Sequence, residues 1–167
     1  MKKLSMILAA LALASTGAYA LDDPFNVTIT FAGACSVKTA AADLTFAYAA
    51  FDVAKSDSTS TVFQCSRGLT PTFKFDNVGA QTGSAAAGVG SAITAEGVIE
   101  GVRYTLAGAS SKSTTGTAAS AGANGTGGNN GSADEYTVSI TANVPGGQAG
   151  TGTGATTSQT RVLTITY

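Results

Sequence analysis

From Phe25 to Phe31 apolar and polar side chains alternate without a break, with Phe25, Val27, Ile29 and Phe31 on one face and Asn26, Thr28 and Thr30 on the other. A period of two is that of an extended strand with one buried face. The same alternation, rich in Val, Ile, Thr, Phe and Tyr, returns near Leu44–Tyr48, Thr59–Cys65, Thr70–Phe75, Val98–Leu106, Glu135–Val144 and Arg161–Tyr167, and predicts a strand at each place. In the last of these Leu163, Ile165 and Tyr167 share a face, and the chain is read as ending on a strand. Stretches rich in Gly, Ala, Ser and Thr at 77–95, 107–133 and 146–159 predict long connections. Within them Asn124-Gly125 and Asn130-Gly131 tolerate the positive φ of tight hairpin turns, while Pro145-Gly146-Gly147 stops the strand before it. No mature segment shows helical periodicity. Short strands divided by turn-rich segments predict an all-β protein, with a Greek-key sandwich favoured over a parallel α/β sheet.

The first twenty residues follow a different rule. Lys2 and Lys3 precede the apolar run Leu4–Ala14, and Ala18-Tyr19-Ala20 forms a small-residue cleavage site, so residues 1–20 read as a signal peptide cut between Ala20 and Leu21. That run is too short for a membrane span, and nothing later approaches the roughly 18 consecutive apolar residues a span requires, so no stable membrane insertion is expected. The remainder fits one domain.

Composition narrows the function. The net charge is −1 and no basic run occurs that would neutralise a row of phosphates, which argues against nucleic acid as a partner. Charged residues make up only 11 % of the chain, and the Gly, Ala, Ser and Thr that replace them suit an extracellular fibre or coat. The absence of histidine removes the commonest general base and metal ligand. Asp22-Asp23 and Asp134-Glu135 are sequence neighbours, which point to opposite faces of a strand, and both pairs read as solvated loop charge. The Gly125–Gly131 stretch lacks the Lys-Ser/Thr ending of a phosphate loop. Asn26, Asn124 and Asn130 each open a glycan-acceptor tripeptide, a frequent coincidence in a chain this rich in Ser and Thr. No catalytic residue, cofactor or metal is expected, and the chain reads as a non-enzyme. Two cysteines in an exported chain, Cys35 and Cys65, allow one disulfide; the alternative is two buried thiols. Closing that loop of about 30 residues stabilises the fold by about 3–4 kcal/mol on the chain-entropy account.

Two readings of Phe25–Phe31 compete. It is either an ordinary first strand packed on its own core or an arm that completes the sheet of another copy. Here the chain resembles a family. The segments FNVTITFAGACSV, DLTFAYAAFDV, STVFQCSRG, GVRYTLAG, VPGGQ and TRVLTITY, in that order, are similar to the spore coat protein U domain found in subunits of archaic chaperone-usher pili. The resemblance covers nearly all of the mature chain, and the family's cysteine pair corresponds to Cys35 and Cys65.

The resemblance implies an incomplete immunoglobulin-like Greek-key sandwich that is completed by strand donation from a neighbouring subunit. Residues 21–34 are then the donor arm, with Phe25, Val27, Ile29 and Phe31 as plugs. Residues 35–167 are the pilin domain, with Leu163, Ile165 and Tyr167 along the acceptor groove. Burying the four plugs is worth roughly 6–12 kcal/mol before ordering costs. The implied partners are other copies of the chain, a periplasmic chaperone and an outer-membrane usher, and the implied location is a cell-surface pilus reached through the periplasm. A shaft subunit is the favoured role. Two rivals remain: a secreted spore-coat or matrix protein of the same fold, and a small extracellular binding module or adhesin.

Overall fold

The computed structural model describes residues 24–77, 81–122, 127–151 and 157–167. The expected signal peptide, its cleavage point at Ala20 and Leu21, the Asp22-Asp23 pair and the Asn124-Gly125 turn lie outside the described residues. Two compact units are present, Met1–Phe31 and Ala32–Tyr167. In the first, residues 24–31 form no strand, and Phe25, Val27, Ile29 and Phe31 are exposed.

The second unit is built of antiparallel strands, as the all-β expectation requires: β1 (Cys35–Thr39), β2 (Lys55–Cys65), β3 (Thr72–Phe75), β4 (Ala87–Gly88), β5 (Ala92–Ile99), β6 (Val102–Thr114), β7 (Asp134–Val144) and β8 (Leu163–Thr166). They form a five-stranded sheet in the order β1-β2-β7-β6-β5 and a three-stranded sheet in the order β4-β3-β8. Strand β7 shows why these residues choose this state. Its alternation buries Tyr136, Val138, Ile140, Ala142 and Val144, and it is laddered to β2 on one side and β6 on the other. Phe73 of β3 joins the sheets through the core, its ring 6.0 Å from that of Phe63 on β2 and 6.5 Å from that of Tyr136 on β7. Burying a side chain of this size is worth about 1.5–3 kcal/mol.

Three local expectations differ from the structure. Val98–Leu106 is not one strand but the tip of the β5–β6 hairpin, turning at Glu100 and Gly101 with φ of 49° and 71°. Positive φ at both central residues is the turn whose twist matches a hairpin, although Glu is an unusual first residue for it. The Gly, Ala and Ser stretches on either side, expected as loops, supply the rest of β5 and β6. Gly97 is there for space rather than for turning, since a Cβ at that position would run into the Tyr104 ring of the facing strand. Leu44–Tyr48, expected as a strand, has no ladder partner among the described residues; Leu44, Phe46 and Tyr48 instead pack half-buried against the core.

Candidate functional site

The termini of a sheet are where backbone donors and acceptors run out of partners, and this molecule treats its edges unequally. On β5 the side-chain amide of Gln81 acts as a substitute strand: Val98 N donates to its Oε1 at 2.7 Å and its Nε2 donates to the Val98 carbonyl at 3.4 Å. One step along, Glu96 N donates to the Thr82 carbonyl at 3.0 Å. The β1 edge is short, carries Lys38, and is broken by a bulge between Val37 and Thr39. Each device discourages pairing with another chain.

Strand β8 is also short, but among the described residues it carries no charge, no bulge and no side chain standing in for a strand. It pairs with β3 through Thr72↔Thr166, Phe73↔Ile165, Lys74↔Thr164 and Phe75↔Leu163, and among the described residues its other edge has no ladder partner. From Leu163 to Tyr167 there is neither a charged side chain nor a proline. The side chains show the same incompleteness. Residues directly opposite in a ladder share a face, yet Phe73 and Phe75 are only 1 % and 3 % exposed while their partners Ile165 and Leu163 are half-buried. Tyr167 lies just beyond the ladder and is exposed.

A further residue, absent from the sequence reading, belongs with them. Val37 is the register partner of Phe63 and shares its core-facing side, but it is 58 % exposed whereas Phe63 is 5 % exposed. The signal was present in the sequence as Cys35 and Val37 at a spacing of two, continuing the core face past the disulfide. The structure thus places Leu163 and Ile165 on the core side of the bare edge, and leaves core-facing surface uncovered on β1 as well.

The surroundings are fixed by covalent and polar ties. Cys35 and Cys65 are register partners and form the disulfide, stapling β1 to β2. Asp134, expected as solvated loop charge, is instead buried at the start of β7. Its carboxylate accepts from Gly68 N at 3.0 Å and Gly116 N at 2.7 Å, and pairs with Lys112 at 2.9 Å. These amides and the ammonium pull its pKa down to about 2. Sequence adjacency to Glu135 said nothing of this, because the partners come from two distant loops and from strand β6.

Arg161, on the approach to β8, is also nearly enclosed. Its guanidinium donates to Asp76 Oδ1 at 3.1 Å, to the carbonyls of Asp76, Thr82 and Glu96 at 3.0, 3.2 and 3.1 Å, and to the Tyr104 hydroxyl at 3.1 Å. Burial opposes its charge, but the Tyr104 hydroxyl and the Asp76 carboxylate outweigh burial and raise its pKa. The Tyr104 hydroxyl in turn bonds the Gln159 side chain. No family model matches the chain, and no curated protein or solved structure matches it either.

Proposed function

We propose that the chain is a structural subunit of a surface fibre, a chaperone-usher pilus, in which each copy fills the open β8 edge of a neighbour with its own segment 25–31. The observation that carries this reading is the contrast along β8: a ladder edge with no partner among the described residues coincides with core-facing side chains, Leu163 and Ile165, that are half covered. An extended segment with alternating large apolar side chains supplies what both defects need, main-chain hydrogen bonds for the edge and plugs for the core. Phe25, Val27, Ile29 and Phe31 have that spacing and are exposed.

The strand order adds support. In an immunoglobulin-type sandwich one sheet runs A-B-E-D and the other C-F-G. With β1, β2, β7 and β6 as A, B, E and D, and β3 and β8 as C and F, the position next to β8 is that of the G strand, which no described strand occupies. The resemblance of the sequence to the spore coat protein U domain points the same way. It brings with it a periplasmic chaperone that covers the edge first and an outer-membrane usher that hands the subunit on. The partners are other copies of the chain, and the role is that of shaft rather than catalyst.

The reading is tested by electrophoresis of the mature protein with and without boiling in detergent. A polymer joined by donated strands gives a ladder that collapses to monomer on boiling, and removing residues 21–31 abolishes the ladder. The change Ile29→Asp does nearly as much, because a carboxylate seated in an apolar slot carries a large desolvation cost. A heat-sensitive ladder that persists in the truncated chain overturns the donor role.

A further inference from the structure

We propose that Arg161 is a positioning residue: its guanidinium holds the open strand β8 in place against the five-stranded sheet, so that the edge stands ready before a donated strand arrives. The proposal rests on the reading of β8 as an acceptor, and asks what keeps such a strand ordered while it is only half paired.

Strand β8 is four residues long and, among the described residues, is laddered on one side only, to the four residues of β3. An element with so few partners belongs to the low end of local stability, where strands fray independently of the rest of the fold. Its core contacts do not compensate, since Leu163 and Ile165 are half-buried. What distinguishes it from an ordinary frayed edge is the residue that leads into it. The Arg161 guanidinium spans four separate segments: Asp76 at the end of β3, Thr82 in the bridge that covers β5, Glu96 on β5 and Tyr104 on β6. Three of its acceptors are backbone carbonyls, which are fixed by the chain itself. The neighbouring Val162 carbonyl accepts from Asp76 N at 3.0 Å, extending the anchorage to the first residue before the strand.

The chemistry requires arginine. A planar guanidinium carries five donors in a rigid fork and reaches acceptors in several directions at once, whereas a lysine ammonium offers three donors around one point. A lysine at this position therefore satisfies only part of the cluster, and a methionine none of it. The guanidinium ties β8 at one end while leaving the outward edge of Leu163–Thr166 free. That is the arrangement an acceptor strand needs, because any clamp along the edge itself would have to be displaced first.

The test compares wild type with Arg161→Lys and Arg161→Met, using the mature chain lacking residues 21–31 at high dilution. Two quantities are read: amide hydrogen exchange resolved by segment, and the rate of uptake of a fluorescent peptide of residues 22–31. In Arg161→Met, exchange at residues 163–167 rises at least about tenfold while that of β7 around Val138 is unchanged. Peptide uptake slows by a similar factor, and Arg161→Lys falls between the two. Appending residues 22–31 after Tyr167 through a flexible linker, so that the edge is filled from within, shrinks the exchange difference between wild type and Arg161→Met several-fold. Uniform loosening of both sheets, equal in the filled and unfilled chains, makes Arg161 a general stabiliser and overturns the proposal, as does unchanged exchange at 163–167. If wild type takes up no peptide, the acceptor reading fails, while the exchange comparison still decides whether Arg161 anchors β8.

Discussion

Strands β5 and β8 each close one of the two sheets, and the chain finishes them in opposite ways. Beside β5 the Gln81 amide and the Thr82 carbonyl occupy outward groups of Val98 and Glu96, and the inward side chains Ile93 and Ala95 are 5 % and 2 % exposed. Beside β8 the described residues supply no ladder partner, and the inward Leu163 and Ile165 are only half covered. Between these two edges protection and core completion go together, present beside β5 and missing beside β8, whereas β1 has a protected edge and still leaves Val37 exposed. An edge that lacked only its hydrogen bonds would be a surface irregularity; one that lacks a layer of side-chain cover as well has the shape of a missing strand. The same chain that spends a glutamine on masking β5 leaves β8 without a charge or a proline, which makes the difference between the edges a property to be tested rather than an accident of loop length.

The largest expected effect separates the closed part of the core from the open part. Phe73→Ala removes a fully enclosed ring between the sheets and costs about 3–5 kcal/mol of stability by denaturant titration. Ile165→Ala, directly opposite in the ladder, costs less than half of that in the chain alone because its side chain is still partly in water. Once a donated strand covers it, the same change rises to about 2–5 kcal/mol. Equal costs for Ile165→Ala before and after filling would remove the distinction between the two halves of the core.

An intermediate effect concerns the ties that hold the closed side. The Asp134 carboxyl, near 3.8 in an unfolded chain, is pulled down to about 2 by Gly68 N, Gly116 N and Lys112. A depressed native pKa stabilises the fold above the unfolded value, and that contribution is lost as pH falls through the native one. Stability measured between about pH 5 and about pH 2 should therefore decline on acidification, and Asp134→Asn should flatten the decline. A stability that rose on acidification through this window would have the wrong sign. The smallest effect belongs to the β5 edge: Gln81→Ala exposes the Val98 amide and carbonyl at a cost of about 0.5–1.5 kcal/mol. It should also make self-association faster through β5, read by light scattering, so that the two edges become more alike.

Strong alternation made most of this legible in the sequence. Phe63, Tyr136, Val138 and Ile140 stand at the spacing that predicts a buried face, and all four are core residues. The disulfide followed from an even cysteine count in a chain read as exported. What escaped was encoded by contact rather than by period. Ala92–Ala95 and Ala107–Thr114 look like connections because most of their residues are small, and they become strands through pairing with one another, with Leu106 and with the length of β7. Leu44–Tyr48 has the alternation of a strand but, among the described residues, no partner to ladder with. Asp134 reads as solvated loop charge and Arg161 only as the start of the last strand, since their partners, Gly68 and Gly116 for one and Asp76, Thr82 and Glu96 for the other, lie far away along the chain. Val37 needed the register against Phe63 before its exposure carried meaning.

The central claim is that β8 is an unfilled position and that residues 25–31 are shaped to fill it. The most direct measurement is thermal unfolding and solution size of the chain lacking residues 21–31, compared with the same chain carrying residues 22–31 after Tyr167 on a short flexible linker. The linker holds the strand at an effective concentration of about millimolar beside the edge. The account predicts that the first protein aggregates on standing or melts early, and that the second is a soluble monomer with a clearly higher melting temperature. An arm-deleted chain that is monomeric, soluble and as heat-stable as the fused one would show that the fold is already complete, and would contradict the account.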